Sequence, residues 1–125
     1  MSAEPPLQLP VFEATVNSGI ITVVLRGEFD LTSEDFLAGN LEQVRLRRPR
    51  RLIFEAAHVS FIDCASVRLI ARTRRWLPAG ARPVISSPSP SMRRAVELTG
   101  FGALCEPTLF ACRDGEAPGD RRLRQ

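Results

Sequence analysis

The groups in this 125-residue chain with the chemistry to act as nucleophiles, metal ligands or phosphate acceptors are few: three cysteines, one histidine and some short serine-rich runs. Cys64, Cys105 and Cys112 lie far apart with no C-x-x-C pair, and His58 sits six residues from the nearest of them. A metal centre needs three or four convergent ligands, so none is expected. Nucleophilic catalysis needs a base beside the nucleophile and an acid to orient it, and nothing in the sequence gathers such a set around His58, which falls in a loop before Val59. Cys64 invites one sharper idea. At a predicted helix start its thiol would be biased toward the reactive thiolate, giving a redox input, but Asp63 beside it opposes that ionisation. The preferred reading of Cys64 is a small, inert residue. Ser86-Ser87-Pro88-Ser89-Pro90 reads as a turn and a helix cap.

Composition narrows the classes further. Hydrophobic residues make up 44% and charged residues 25%, ordinary values for a globular protein of one domain. No apolar run approaches the ~18 residues of a membrane span. The first ten residues hold Glu4 and three prolines but no basic region with an apolar core, so no signal peptide is expected and the cytoplasm is the default. An odd cysteine count fits a reducing compartment, without disulfides. The net charge of +3 rests on arginine alone, clustered at 45–51, 72–75 and 121–124. No aromatic residues interleave with these clusters and no nucleic-acid motif appears, so direct nucleic-acid binding is not expected and a solvated basic face is the plainer reading.

The elements that must position these residues follow from periodicity and punctuation. Phe12 to Asn17 alternates apolar with polar and, after Ser18-Gly19, Ile20 to Leu25 is β-branched: a hairpin, ended by Gly27. Thr32 or Ser33 caps a first helix with Glu34 and Asp35 in its first turn and Phe36, Leu37, Leu41, Val44 and Leu46 as its apolar set. Leu52 to Phe54 reads as a short strand covered on both faces and parallel to Ile20–Leu25. Val59, Phe61 and Ile62 lead, extended, into a helix from Cys64 to Leu77 that carries Val67, Ile70, Trp76 and Leu77 inward. A strand near Arg82–Ser86, a helix with Met92, Ala95, Val96 and Leu98 capped by Ser89 or Ser91 and closed by Gly100, and a last short strand within Gly102–Phe110 complete the reading. Residues 1–10 are expected to be a flexible segment, 11–112 the domain, and 113–125 a disordered basic tail.

Three landmarks then stand in register with these elements: Gly27-Glu28-Phe29-Asp30, Val59-Ser60-Phe61-Ile62-Asp63 and Glu97-Leu98-Thr99-Gly100-Phe101. Their order and spacing, from about Phe12 to Phe110, resemble the STAS family, in its anti-sigma factor antagonist type. The resemblance implies an α/β domain with a mixed, mostly parallel sheet of about four to five strands and helices packed on one side. It implies a binding protein without cofactor, whose partner is an anti-sigma factor of the ATP-binding serine kinase type, and whose docking releases a sigma factor for transcription. The family's phosphorylated serine directly follows the aspartate matching Asp63; here that position is Cys64. Ala65 and Ser66 follow, Ser66 in place of a usual glycine, which makes Ser66 a possible substitute acceptor.

A phosphate adds about −1.5 to −2 charges at a surface that must fit a partner, and a thiol is no ordinary substrate for that reaction. The expected docking surface comprises Asp30, Ser33, Asp63, Cys64, Ala65 and Ser66, with a homodimer possible. Asp63 also has a structural role as a helix cap, and Asp30 as a turn residue. Two other readings remain: an accessory subunit of a lipid-transport ATPase complex, and a thiol redox sensor centred on Cys64.

Overall fold

The computed structural model describes residues 8–105; Cys112, the tail from 113 and the far part of the expected Gly102–Phe110 strand lie outside them. Strands β1 (Val11–Asn17) and β2 (Ile20–Phe29) form an antiparallel hairpin, in which Phe12 faces Leu25 and Val16 faces Ile21. Ser18 and Gly19 take φ of 54° and 83° in the turn, the left-handed values that a two-residue hairpin demands. A 3-10 turn at Leu31–Ser33 leads into α1 (Glu34–Leu46), after which β3 (Arg51–Ile62) returns parallel to β2. Helix α2 (Cys64–Arg72), a 3-10 segment (Thr73–Trp76), β4 (Val84–Ser86) and α3 (Pro90–Leu98) follow. The four strands lie in chain order, with β4 also parallel to β3.

The sheet buries one face, and the pattern along β2 shows why. Ile21, Val23, Leu25, Gly27 and Phe29 are buried at every second position, while Thr22, Val24, Arg26 and Glu28 retain solvent contact. Leu52, Phe54 and Ala56 continue that inner layer on β3, and Leu37, Leu41 and Val44 of α1, Val67 and Ile70 of α2 and Met92, Ala95 and Val96 of α3 close over it. Burying this much apolar side chain, at about 1.5–3 kcal/mol for each large residue, is the main stabilising term of a domain this size.

Several expectations are corrected. The strand Leu52–Phe54 is not short and covered on both faces: β3 runs for twelve residues with Arg51, Glu55, Ala57 and His58 exposed. Irregularities in the β2–β3 register between Val24 and Arg26 and between Gly27 and Glu28 let one continuous strand absorb what reads as a strand plus an approach. Gly27 does not end β2. It holds φ of 87° inside the strand, where a Cβ would lie 2.2 Å from the Leu9 carbonyl oxygen, and the segment before β1 is held close there, its Gln8 carbonyl accepting the Glu28 amide at 3.0 Å. α2 stops at Arg72 and tightens to 3-10 geometry, so that beyond it Leu77 is buried while Trp76 is half-buried at the edge of the core. Of the first helix's apolar set, Phe36 is 40% and Leu46 62% exposed. Gly102–Leu104 is a 3-10 turn, followed by a single bridge from Cys105 to Ile85.

Candidate functional site: the strand ends around Asp30 and Asp63

Parallel pairing places the C-terminal ends of β2 and β3 side by side, with Phe29 next to Ile62. The Asp63 amide then donates to the Phe29 carbonyl at 3.0 Å, tying the loop after β3 to the loop after β2. Each loop opens a helical segment, and each is headed by an aspartate.

Asp63 is extended (φ −90°, ψ 170°) and its Oδ1 accepts the Ser66 amide at 2.8 Å, satisfying one of the unpaired donors at the start of α2. Asp30 heads the 3-10 turn, while Ser33, one of the two expected caps, stands at the start of α1 without a side-chain bond to that helix. Its Oδ1 accepts both the hydroxyl of Thr32 (2.6 Å) and its amide (3.0 Å). These bonds, the hydroxyl first among them, hold the Asp30 carboxyl below its ordinary pKa, because they stabilise the charged form. The Ser33 hydroxyl accepts the Asp30 amide at 2.9 Å and donates to the Asp30 carbonyl at 3.0 Å.

The expected docking residues therefore divide in two. Asp30, Asp63, Cys64 and Ala65 are partly exposed at one end of the sheet. Ser33 is 7% exposed and committed to the cap, so it shapes the surface from beneath and does not line it. Ser66 is fully buried at the third position of α2, where the helix turns inward over the core, and its Oγ has no hydrogen-bond partner among the described residues. In this conformation no kinase reaches that hydroxyl.

Beside Cys64 the surface opens into a largely apolar groove of about 440 Å³, with Phe61, Asp63 and Cys64 on one wall and Ser91, Arg94 and Leu98 of α3 on the other. The Ser91 hydroxyl donates to the Ser60 carbonyl at 2.8 Å and the Ser89 amide to the Ala56 carbonyl at 3.0 Å, which fixes α3 against β3. This α3 wall was not among the expected site residues. A signal for it exists: Leu98 lies two residues past the buried Val96, about 200° around the helix, and so belongs to the outer face, where it is 74% exposed. Phe61 is 48% exposed, displaced to the surface while its neighbours Val59 and Ile62 are buried.

Among the described residues no group of three histidine, cysteine or carboxylate side chains could hold a metal ion, and no helix is long and apolar enough to cross a membrane. The geometry is that of a small α/β domain presenting two capped loops and an adjoining groove, a surface suited to contact. The family model for the STAS domain matches residues 11–112. The chain belongs to the STAS domain family. Solved structures with this fold include an anti-sigma factor antagonist from Mycobacterium paratuberculosis (TM-score 0.71, 22% identity, 82% of this chain and 89% of that one). They also include the anti-sigma factor antagonist SpoIIAA in its unphosphorylated form (TM-score 0.67, 21% identity, 77% and 86%). The phosphorylated form of the Bacillus cell fate determinant SpoIIAA is similar too (TM-score 0.60, 23% identity, 77% and 89%). A search of curated protein sequences finds no match.

Proposed function

We propose that this protein is an anti-sigma factor antagonist that acts by binding an anti-sigma factor of the serine-kinase type, through the loops at Asp30 and Asp63 and the groove beside Cys64. The observation that carries this reading is the Asp63 amide bonded to the Phe29 carbonyl, which holds two capped, partly exposed loops as one surface. Partly exposed carboxylates give that surface polarity, and Phe61 and Leu98 offer the apolar anchors that protein interfaces favour. Cys64 stands where the family carries its phosphoserine and Ser66 is enclosed, which supports docking that serine phosphorylation at this helix start does not reverse.

The test is incubation of the purified protein with each candidate anti-sigma kinase of its organism and ATP, followed by complex detection and intact-mass measurement. A stable complex with no added phosphate is the expected result. Phosphate mapped to Ser66 would remove the claim of an unswitched antagonist, and absence of any complex would remove the antagonist reading in favour of the lipid-transport accessory or thiol-sensor role.

A further inference from the structure

Charge is sorted along the strand direction, with Arg94 in the groove beside Asp63 as an exception. Asp30, Glu34, Asp35 and Asp63 lie where β2 and β3 end and α1 begins, whereas Arg45, Arg47, Arg48, Arg50 and Arg51 lie at the opposite end, where α1 stops and β3 starts. Arg74 and Arg75 follow α2 to that same end and Arg82 precedes β4 there. Residues 43–54 and 64–96 contain no carboxylate to offset them. Glu42 serves Arg45, bonded to its Nε at 3.0 Å. Like charges gathered without partners repel and work against the compact state.

Local geometry at this end also departs from the easiest arrangement. Arg48 holds φ of 49° immediately after the C-cap Arg47, the left-handed position where glycine is the usual occupant. Arg50 lies over the hairpin turn and donates to the Ser18 carbonyl at 2.9 Å; a Cβ on Gly19 would come within 2.6 Å of its Nε, so the turn is shaped around the guanidinium. Between these arginines and the segment Trp76–Pro78 runs a cleft of about 510 Å³, at whose rim Leu46 is 62% exposed.

We propose that this basic end docks on an anionic phospholipid surface, its arginines against lipid phosphates, Leu46 in the headgroup layer and Trp76 at its edge. Clustered arginines are drawn to such a surface, and a leucine and a tryptophan beside them add burial in the interfacial layer. A nucleic acid strand would engage the guanidinium groups equally well but has no use for an exposed leucine, and Trp76 packs partly against the core, which leaves it poorly placed to stack on bases. Charge complementarity admits both, and the exposed Leu46 beside the half-buried Trp76 favours the lipid. The carboxylate-rich end then faces away from the membrane, with the Asp30 and Asp63 loops open. Because it uses the opposite end, this inference stands or falls separately from the antagonist reading.

The experiment is co-sedimentation of the full chain with vesicles of phosphatidylcholine alone and with about 30% phosphatidylglycerol, a strongly anionic composition. Emission of Trp76, the sole tryptophan, is followed in parallel. Binding to the anionic vesicles only, a blue shift of Trp76, and release at about 0.5 M salt are expected. Arg48→Gly suits the local φ and preserves the fold, and should weaken binding about fivefold; Arg47→Gln with Arg51→Gln should weaken it about 25-fold. Equal binding to neutral vesicles, unchanged binding by Arg48→Gly, or tighter binding to a single-stranded RNA oligonucleotide than to anionic vesicles would each overturn the proposal.

Discussion

Phe29 and Asp63 are joined by a single backbone hydrogen bond of 3.0 Å, and through it the end of β2 sets the position of the residue that starts α2. The two loops of the candidate docking surface are therefore tied to each other at their bases. A change at one loop should be felt at the other.

Asp63 supplies the cap on which this arrangement depends. Asp63→Ala should destabilise the fold by about 1 kcal/mol, within the usual range for a lost cap, while Asp63→Asn, which keeps an acceptor oxygen, should cost only a fraction of that. Chemical denaturation of the three proteins tests it. Equal losses for the two variants would assign the role of Asp63 to its charge and not to the bond with the Ser66 amide.

Ser66 should show the opposite sign. Its buried hydroxyl lacks a partner among the described residues, and a buried polar group without one costs about 1–3 kcal/mol. Ser66→Ala is accordingly expected to stabilise the protein by about 1 kcal/mol, read as a higher denaturation midpoint at unchanged slope. A destabilised variant would mean that the hydroxyl has a partner in solution.

Asp30 gives a pH dependence whose sign is fixed by its lowered pKa. The folded protein binds this proton less readily than the unfolded chain, so the carboxylate's contribution is fully present above the ordinary aspartate pKa of about 3.9 and is lost as pH falls through the lowered value. The stability difference between the natural protein and Asp30→Asn should be constant from pH 6 down to that region and shrink below it. A difference that stays flat to pH 2 would contradict the assignment.

Burial raises the pKa of the Cys105 thiol; Glu97 adds to the rise and Arg93 partly offsets it. With Cys64 and Cys112 changed to alanine, Cys105 should react with iodoacetamide at neutral pH several-fold more slowly in the folded protein than in urea. Identical rates would show that the thiol is open to solvent.

The sequence carried the hairpin, the parallel pairing of β2 with β3, and α3 with a cap at Ser89 or Ser91, of which the structure uses Ser89, because in each the apolar period and the punctuating residues agree. It carried Asp30 and Asp63 as loop aspartates through the spacing of the landmarks. It misled at Gly27, where a left-handed glycine reads as a strand end although the neighbouring chain at Leu9 fills the space a side chain would take. It misled also over Ser33, since a hydroxyl near a helix start looks available until the packing shows that it is spent beneath the surface, whereas the third helical position of Ser66 already pointed to its turning inward. The α3 wall of the groove was hidden for a related reason: Leu98 shares the hydrophobic character of the core set, and only its angular phase reveals that it faces out.

The order of strands bears finally on how the chain comes to be folded. β1 and β2 are neighbours in sequence and can zip as a hairpin early, but Ile20 meets Arg51 only after a loop of about 30 residues has closed, and β4 must then find the far edge of β3. On a ribosome releasing the N-terminus first, β2 waits with one edge unpaired until residues 51–62 have emerged. During that interval the open edge of β2 is a template on which another copy could pair, and Arg26 and Glu28 near its end are the charges placed to discourage it.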